Sequence, residues 1–396
     1  MLNHDEQIYP PPNSAVSVHH VEDELITFDD RSKQLARMNQ TASKIWQLHE
    51  ENLSVDEIAQ HLSEFYSVEK EVIISDVINA LNEWQAIGLI GEDNIPVAPE
   101  VEGVLDYMEE IDLGLEDKVV FQHVKSIKLL DSGFDVFASS AEITNILLPV
   151  ISHYPKTDNF TNVIKVIEKD DCFLIIDGSK LVCSCDTIEE VAPVVNGHIL
   201  VTSFLHVNSL SVFHAAAIYD NDGIVLLSAG SGSGKSTLTA ALMCSGKQLF
   251  SDDLGVLTHD QKIRPTPGCI GLKKGSWDVI EQYYPAIFEL ATHYRQDEKI
   301  VKYLPPSSLP TSSQLENGEP VKAVVFPSYS PEHKSELIPL STADALVKIT
   351  DAGYHTNQSL NHGSVANLIG WMKEIPAYEL PVNDLKEAVN LVETLL

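Results

Sequence analysis

The sequence predicts an α/β protein in two parts: a small winged-helix-like α+β module, then a larger α/β domain of the phosphate-loop type. Three observations lead there. Gly223 to Gly246 reads in order as an apolar strand, a loop of small residues and a helix with a glycine stop. Residues 15–91 carry three short extended runs and then three helical patterns. The 396 residues are 44% hydrophobic and 21% charged, the composition of ordinary globular domains with length for two or three of them.

In chain order, residues 1–14 read as a disordered leader, because Pro10-Pro11-Pro12 interrupts regular structure. Extended runs follow at Ala15–His19, Leu25–Phe28 and Gln34–Met38. Asn39 is placed to cap a helix whose inner face is Ala42, Ile45, Trp46 and His49. Ser54 and Glu57 form a capping box for a second helix, with Ile58, Leu62 and Phe65 inward. A third starts near Glu69, turns Ile74, Val77, Ile78, Leu81 and Trp84 to one side, and stops at Gly88. Residues 92–116 are acidic and proline-containing, as in a linker, and 117–396 make the larger domain. Its first part holds apolar strands such as Cys172–Ile176 and His198–Val201, with Asp170-Asp171 and Glu189-Glu190 as solvated turns. Pro305–Pro320 reads as a mobile loop, Val321–Phe326 as a buried strand and Asp384–Leu396 as an amphipathic closing helix.

Charge narrows the partners. Asp and Glu number 58 against 26 Lys and Arg, a net charge of −32, which disfavours nucleic acid and anionic membrane. The winged-helix module has five basic residues (Arg31, Lys33, Arg37, Lys44, Lys70) and a third helix bare of them after Lys70, so it lacks the phosphate-neutralising surface of a DNA reader. No membrane span or signal peptide is apparent, and the five cysteines form no even framework; a cytoplasmic protein is expected, with homo-oligomerisation left open.

The chemistry concentrates after the strand Ile224–Leu227. Gly230, Gly232 and Gly234 lack a Cβ, so backbone N–H groups of the loop Gly230-Ser231-Gly232-Ser233-Gly234-Lys235-Ser236-Thr237 can close around a polyphosphate at a helix N-terminus. Lys235 is placed for the β- and γ-phosphates and Ser236 for Mg²⁺. Ala229 stands where the usual spacing has its first glycine. A second strand, Gln248–Ser251, ends in Asp252-Asp253, a pair able to divide metal binding and proton acceptance. Arg264, Lys273 and Lys274 form a local basic group, and Lys299 with Lys302 a second; either would neutralise charge on a transferring phosphoryl group.

This layout resembles the catalytic domain of HPr kinase/phosphorylase: His214 lies 21 residues before Lys235, and Asp252 lies 17 after it. The resemblance implies an α/β P-loop kinase domain of the HPr kinase / PEP carboxykinase type that uses ATP and Mg²⁺. Lys235, His214, Asp252 and Asp253 would be catalytic, Ser236 and Asp253 would hold the metal, and the loop with Lys273 and Arg264 would hold the nucleotide. The nearest branch is similar to the HPr kinase-related proteins of peptide-modifying gene clusters, which implies serine as acceptor. The N-terminal module resembles PqqD on MNQTASKIWQL (Met38–Leu48), SVDEIAQHLSEFY (Ser54–Tyr66) and DVINALNEWQAIGLI (Asp76–Ile90). That implies a precursor peptide whose leader adds along the strand near Glu24–Phe28 and against the third helix. A small-molecule kinase and a nucleotide-gated peptide-delivery protein stay open as alternatives.

Overall fold

Two compact units make up the chain, and they are not simply consecutive. In the computed structural model the described residues are 7–91, 108–110, 119–221, 223–352 and 360–396. The first unit combines residues up to 100 with Ser341–Thr350 and Asn357–Glu374; the second holds the rest.

The first unit opens with three antiparallel strands in the order β1-β2-β3: β1 (Val16–Val21), β2 (Glu24–Asp29) and β3 (Gln34–Met38). Three helices follow: α1 (Gln40–Glu50), α2 (Val55–Tyr66) and α3 (Lys70–Ala86). Asn39 caps α1, and the expected Ser54–Glu57 box caps α2, each satisfying N–H groups that the helix leaves open. Leu25 and Met38 pack with Ile45, Trp46, Ile58, Leu62, Val77, Leu81 and Trp84 in one apolar core. Burying each large side chain contributes roughly 1.5–3 kcal/mol.

Several expectations need correcting here. β2 is the central strand, paired with β1 and β3 along its whole length, so Glu24–Phe28 offers no edge to an added peptide; β3 pairs only with β2 among the described residues. Phe65 points into solvent at 65% exposure, because α2 turns Val55, Ile58, Ala59 and Leu62 inward instead. On α3 the fully buried set includes Ile73, with Ile74 and Ile78 half-buried at its margin. The described end of the supposed leader, 7–14, is ordered. The Tyr9 hydroxyl donates to Asn82 Oδ1 at 2.7 Å, the carbonyl of Gln7 accepts from Val55 N–H, and Pro12 bridges to Ile90. Prolines prevent helix and ladder; they do not prevent packing.

The other face of the three-stranded sheet is covered too. Alternation along β2 sends Ile26 and Phe28 away from the α1–α3 core, yet both are fully buried. They lie on the face met by two later helices, α9 (Thr342–Asp351) and α10 (His362–Lys373). Phe28 meets the His362 ring edge-on at 6.2 Å, Arg37 pairs with Asp344, and Lys33 Nζ donates to the Leu360 carbonyl. Ser341–Thr350 and the described residues 360–374, expected within the larger domain, thus supply the second layer of this unit.

The second unit begins with β4 (Glu109–Glu110), the only described strand of the stretch expected as linker. β5 (Gln122–Leu129), β6 (Ser132–Ala138), α4 (Ala141–Ile151), β7 (Asn162–Lys169), β8 (Cys172–Asp177), β9 (Lys180–Cys185) and α5 (Ile188–Leu205) follow. The strands form one sheet, β4-β9-β8-β7-β6-β5. His198–Val201, read as a strand, lies inside α5. His198 and Ile199 of that run join Val191 and Val195 on the buried side of an 18-residue helix, while Leu200 and Val201 are half-buried.

The site-bearing sheet comprises β10 (Ser211–Asp220), β11 (Gly223–Ser228), β12 (Gln248–Ser251), β13 (Leu254–Leu257), β14 (Lys262–Arg264), β18 (Glu319–Tyr329), β19 (Ile338–Pro339) and β20 (Ala377–Val382). β11, β18 and β20 run parallel, with α6 (Lys235–Cys244) after β11. α6 buries Leu238, Ala241 and Leu242 in a core shared with β11, β18 and the closing helix α11 (Leu385–Glu393). A small sheet, β15 (Ile270–Lys273), β17 (Ile300–Leu304) and β16 (Thr292–Tyr294) in that order, packs beside it with α7 (Trp277–Ile280). The expected mobile loop 305–320 contains α8 (Ser312–Asn317), held by a Thr311–Gln314 capping box.

Candidate functional site

The site forms where β11 hands over to α6. All six residues of β11 are buried, so the strand fixes where the loop begins. Gly232 and Gly234 adopt φ of +93° and +92°, a left-handed conformation that L side chains rarely take. A Cβ at either would meet nothing within 4 Å, so backbone conformation and not crowding demands glycine. Gly230 is in neither condition. The loop is tied on two sides. Tyr329 N–H, at the end of β18, donates to the Ser233 carbonyl at 2.9 Å, and Lys273 Nζ, at the end of β15, donates to Ser231 Oγ at 2.8 Å.

Lys235 opens α6 and is only 5% exposed. Its ammonium donates to the Asp252 carbonyl at 2.7 Å and to Asp253 Oδ1 at 3.0 Å. The same Asp253 oxygen lies 3.9 Å from His214 Nδ1. Burial, and then the Lys235 charge, hold His214 below the usual imidazole range, which favours the neutral ring.

The two adjacent carboxyls are driven apart. Burial, followed by the neighbouring Asp253 charge, pushes Asp252 up to about 7. Its Oδ2 accepts the Gly271 N–H at 3.1 Å, and the Ser236 hydroxyl faces the same carboxyl. Its Oδ1 is buried with no partner at hydrogen-bond distance. Asp253 feels burial as well, but the Lys235 charge and its hydrogen bond outweigh it and hold this carboxyl low. The protonated form is thus favoured at Asp252 and the ionised form at its neighbour.

A hard cation fits this arrangement: an orphaned, buried carboxyl oxygen beside a serine hydroxyl asks for one. Among the described residues no group of three or more His, Cys, Asp or Glu side chains could hold a metal alone.

His214, Lys235, Ser236, Asp252, Asp253, Lys273 and the glycine loop thus come together, with Thr237 in the first turn of α6. Of the two carboxyls beside the loop, Ser236 faces Asp252, while Asp253, read with Ser236 as a metal ligand, engages Lys235. Arg264, expected at the nucleotide, instead pairs with Asp131 at 3.0 Å. Lys302 is buried beneath the small sheet, where its ammonium caps the Leu290 carbonyl and sits 5.0 Å from the Trp277 ring centre. Lys299 pairs with Asp297 at 2.6 Å. The sequence reading missed Gly271, which has no side chain to reveal it. It also missed Arg295, whose charge helps hold Asp253 low but is masked in RQDEK by two acids.

Residues 24–90 match the family model of coenzyme PQQ synthesis protein D, PqqD. These residues form a PqqD-type domain. Among solved structures the chain is similar to TbiB1 in complex with the TbiA(beta) leader peptide, at 22% identity and a TM-score of 0.20, covering 22% of this chain and 99% of that one. No curated protein matches. No described helix is long and apolar enough to cross a membrane.

Proposed function

We propose that the chain is an ATP-dependent kinase that phosphorylates a serine of a ribosomally made precursor peptide, with the leader of that peptide held by the PqqD-type unit. The observation that carries this reading is the Lys235 ammonium, buried between the Asp252 carbonyl and the Asp253 carboxylate at the mouth of a left-handed glycine loop. A buried cation at a helix N-terminus, open toward a loop of backbone N–H groups, suits a polyphosphate. The resemblance of this spacing to HPr kinase and the PqqD-type domain supply the rest of the reading.

Lys235, Lys273 and the loop N–H groups would bind the triphosphate. Ser236 and Asp252 would hold Mg²⁺, which when bound offsets phosphate charge and lowers Asp252 from its raised value. Asp253, already ionised, would accept the serine Oγ proton as the Oγ–P bond forms and the bond to the β-phosphate oxygen breaks, ADP leaving with that electron pair. Neutral His214 would orient the Asp253 carboxylate. The leader would add as a strand to the open edge of β3, near the half-buried Ile74 and Ile78 of α3, and raise the effective concentration of the core peptide.

The test is to incubate the full chain with Mg-ATP and the precursor encoded beside its gene, and to weigh the peptide. The expected result is a gain of one phosphate, lost in Asp253→Asn. ATP turnover with no change in peptide mass would move the acceptor to a small molecule. Binding of ATP without turnover would reduce the protein to nucleotide-gated delivery.

A further inference from the structure

The hairpin joining β16 to β17 carries a second set of cations toward the loop. Strand register places it: Lys273, Val301 and His293 lie in a row across β15, β17 and β16, and Tyr294 pairs with Ile300. Lys273 is the last residue of β15 and reaches Ser231 of the glycine loop, so the hairpin tip, Arg295 to Lys299, projects from the same end of the small sheet. The turn is tight. Arg295 N–H donates to the Lys299 carbonyl at 2.9 Å, Glu298 N–H returns to the Arg295 carbonyl at 3.0 Å, and Glu298 takes φ +62°.

Within that turn Asp297 is shared. Arg295 Nε meets its Oδ1 at 3.1 Å and Lys299 Nζ its Oδ2 at 2.6 Å. One carboxylate thus holds two cations that are each more than 40% exposed. Lys273, beside them, donates to the Ser231 hydroxyl. Burial and then the like charges of Lys299 and Arg295 depress it, and Arg295 also acts on Asp253. Asp297 and Glu298 offset Arg295 and Lys299 within the turn, and Lys273 adds one further cation beside it. Asp297 offers each of the two cations one oxygen, and a phosphoryl group would offer them and Lys273 three.

We propose that the Arg295–Lys299 hairpin is a phosphoryl clamp: Asp297 occupies Arg295 and Lys299 at rest, and both turn to the terminal phosphate oxygens of a bound nucleoside triphosphate alongside Lys273. This rests on the kinase reading and adds the residue that distinguishes a triphosphate from a diphosphate. A planar guanidinium on the end of a rigid turn suits that discrimination.

The experiment is calorimetry of the full chain with a Mg-bound non-hydrolysable ATP analogue and, separately, Mg-ADP. Arg295→Ala should weaken the analogue about tenfold and leave ADP within twofold, since a charge-assisted bond to the terminal phosphate is lost. Asp297→Asn should tighten the analogue several-fold, a gain that a folding defect cannot produce. Equal losses for both nucleotides in Arg295→Ala, or no loss, would overturn the clamp, as would no gain in Asp297→Asn. Wild-type chain that binds neither nucleotide would sink the kinase reading itself, a result distinct from clamp failure.

Discussion

Lys235 and Lys302 are buried to nearly the same degree, 5% and 4% exposed, in the same unit, and they do opposite things. Lys302 is consumed by structure. Its ammonium meets the Leu290 carbonyl, Thr292 Oγ1 at 3.2 Å and the Trp277 face, all neutral partners that need it where it is. Burial lowers its pKa, and no carboxylate answers it. Lys235 shares a carboxylate with a histidine, at the start of a helix and under a loop held in left-handed backbone. A buried cation is a site only when its surroundings have charge to spare for a ligand; the cation alone tells nothing.

Lys235→Ala should give the largest functional effect in this comparison, cutting peptide phosphorylation by about 10²–10³ as a preorganised charge is removed. The check is single-turnover transfer, with circular dichroism showing the fold retained. Lys302→Ala should do the reverse. It leaves buried carbonyls unanswered and costs on the order of 1–3 kcal/mol in urea unfolding, with transfer changed less than severalfold. Should Lys302→Ala abolish transfer with stability intact, the contrast fails.

The carboxyl pair sharpens it through pH. Asp252 has its folded value raised, so the stability tied to its proton is present below its unfolded value and is lost as pH rises toward about 7. Asp252→Asn should therefore gain on the wild type by roughly 1–2 kcal/mol between pH 5.5 and 8 in metal-free urea melts. Asp253 has its value lowered, and the stability it contributes fades only as pH falls through the acid range. A flat difference between wild type and Asp252→Asn would remove the raised value. The smallest effects lie in the loop. Gly232→Ala or Gly234→Ala should cost about 1–2 kcal/mol from left-handed strain, while Gly230→Ala, at an ordinary φ, should stay near neutral. Thermal melts of the three variants decide it.

Much of the fold was legible. Asn39 and the Ser54–Glu57 box announce helix starts through short polar side chains that cap N–H groups, and the run Ile224–Leu227 announces a buried strand. Hydrophobic pattern alone misled at His198–Val201, because a short apolar run such as Ile199-Leu200-Val201 fits a strand as well as a stretch of largely buried helix. In the site, the residues of one continuous stretch were found, and so was Lys273 from the small sheet, but Arg295 from that same sheet was not. Lys235, Asp252 and Asp253 belong to one β–α–β stretch, whereas Arg295 arrives through the register of a separate sheet. Arg264 stood out only because basic residues are scarce here, and scarcity does not say which acid claims it.

The covering of β2 by α9 and α10 carries a consequence for synthesis. Ile26 and Phe28 are made early, but His362 is made more than 330 residues after Phe28. At ribosomal rates that delay is roughly 15–65 s. Throughout it the nascent sheet has one finished face and one sticky face, exposed to chaperones or to neighbouring chains. The PqqD-type unit is thus among the first parts of the protein to be translated and among the last to be completed.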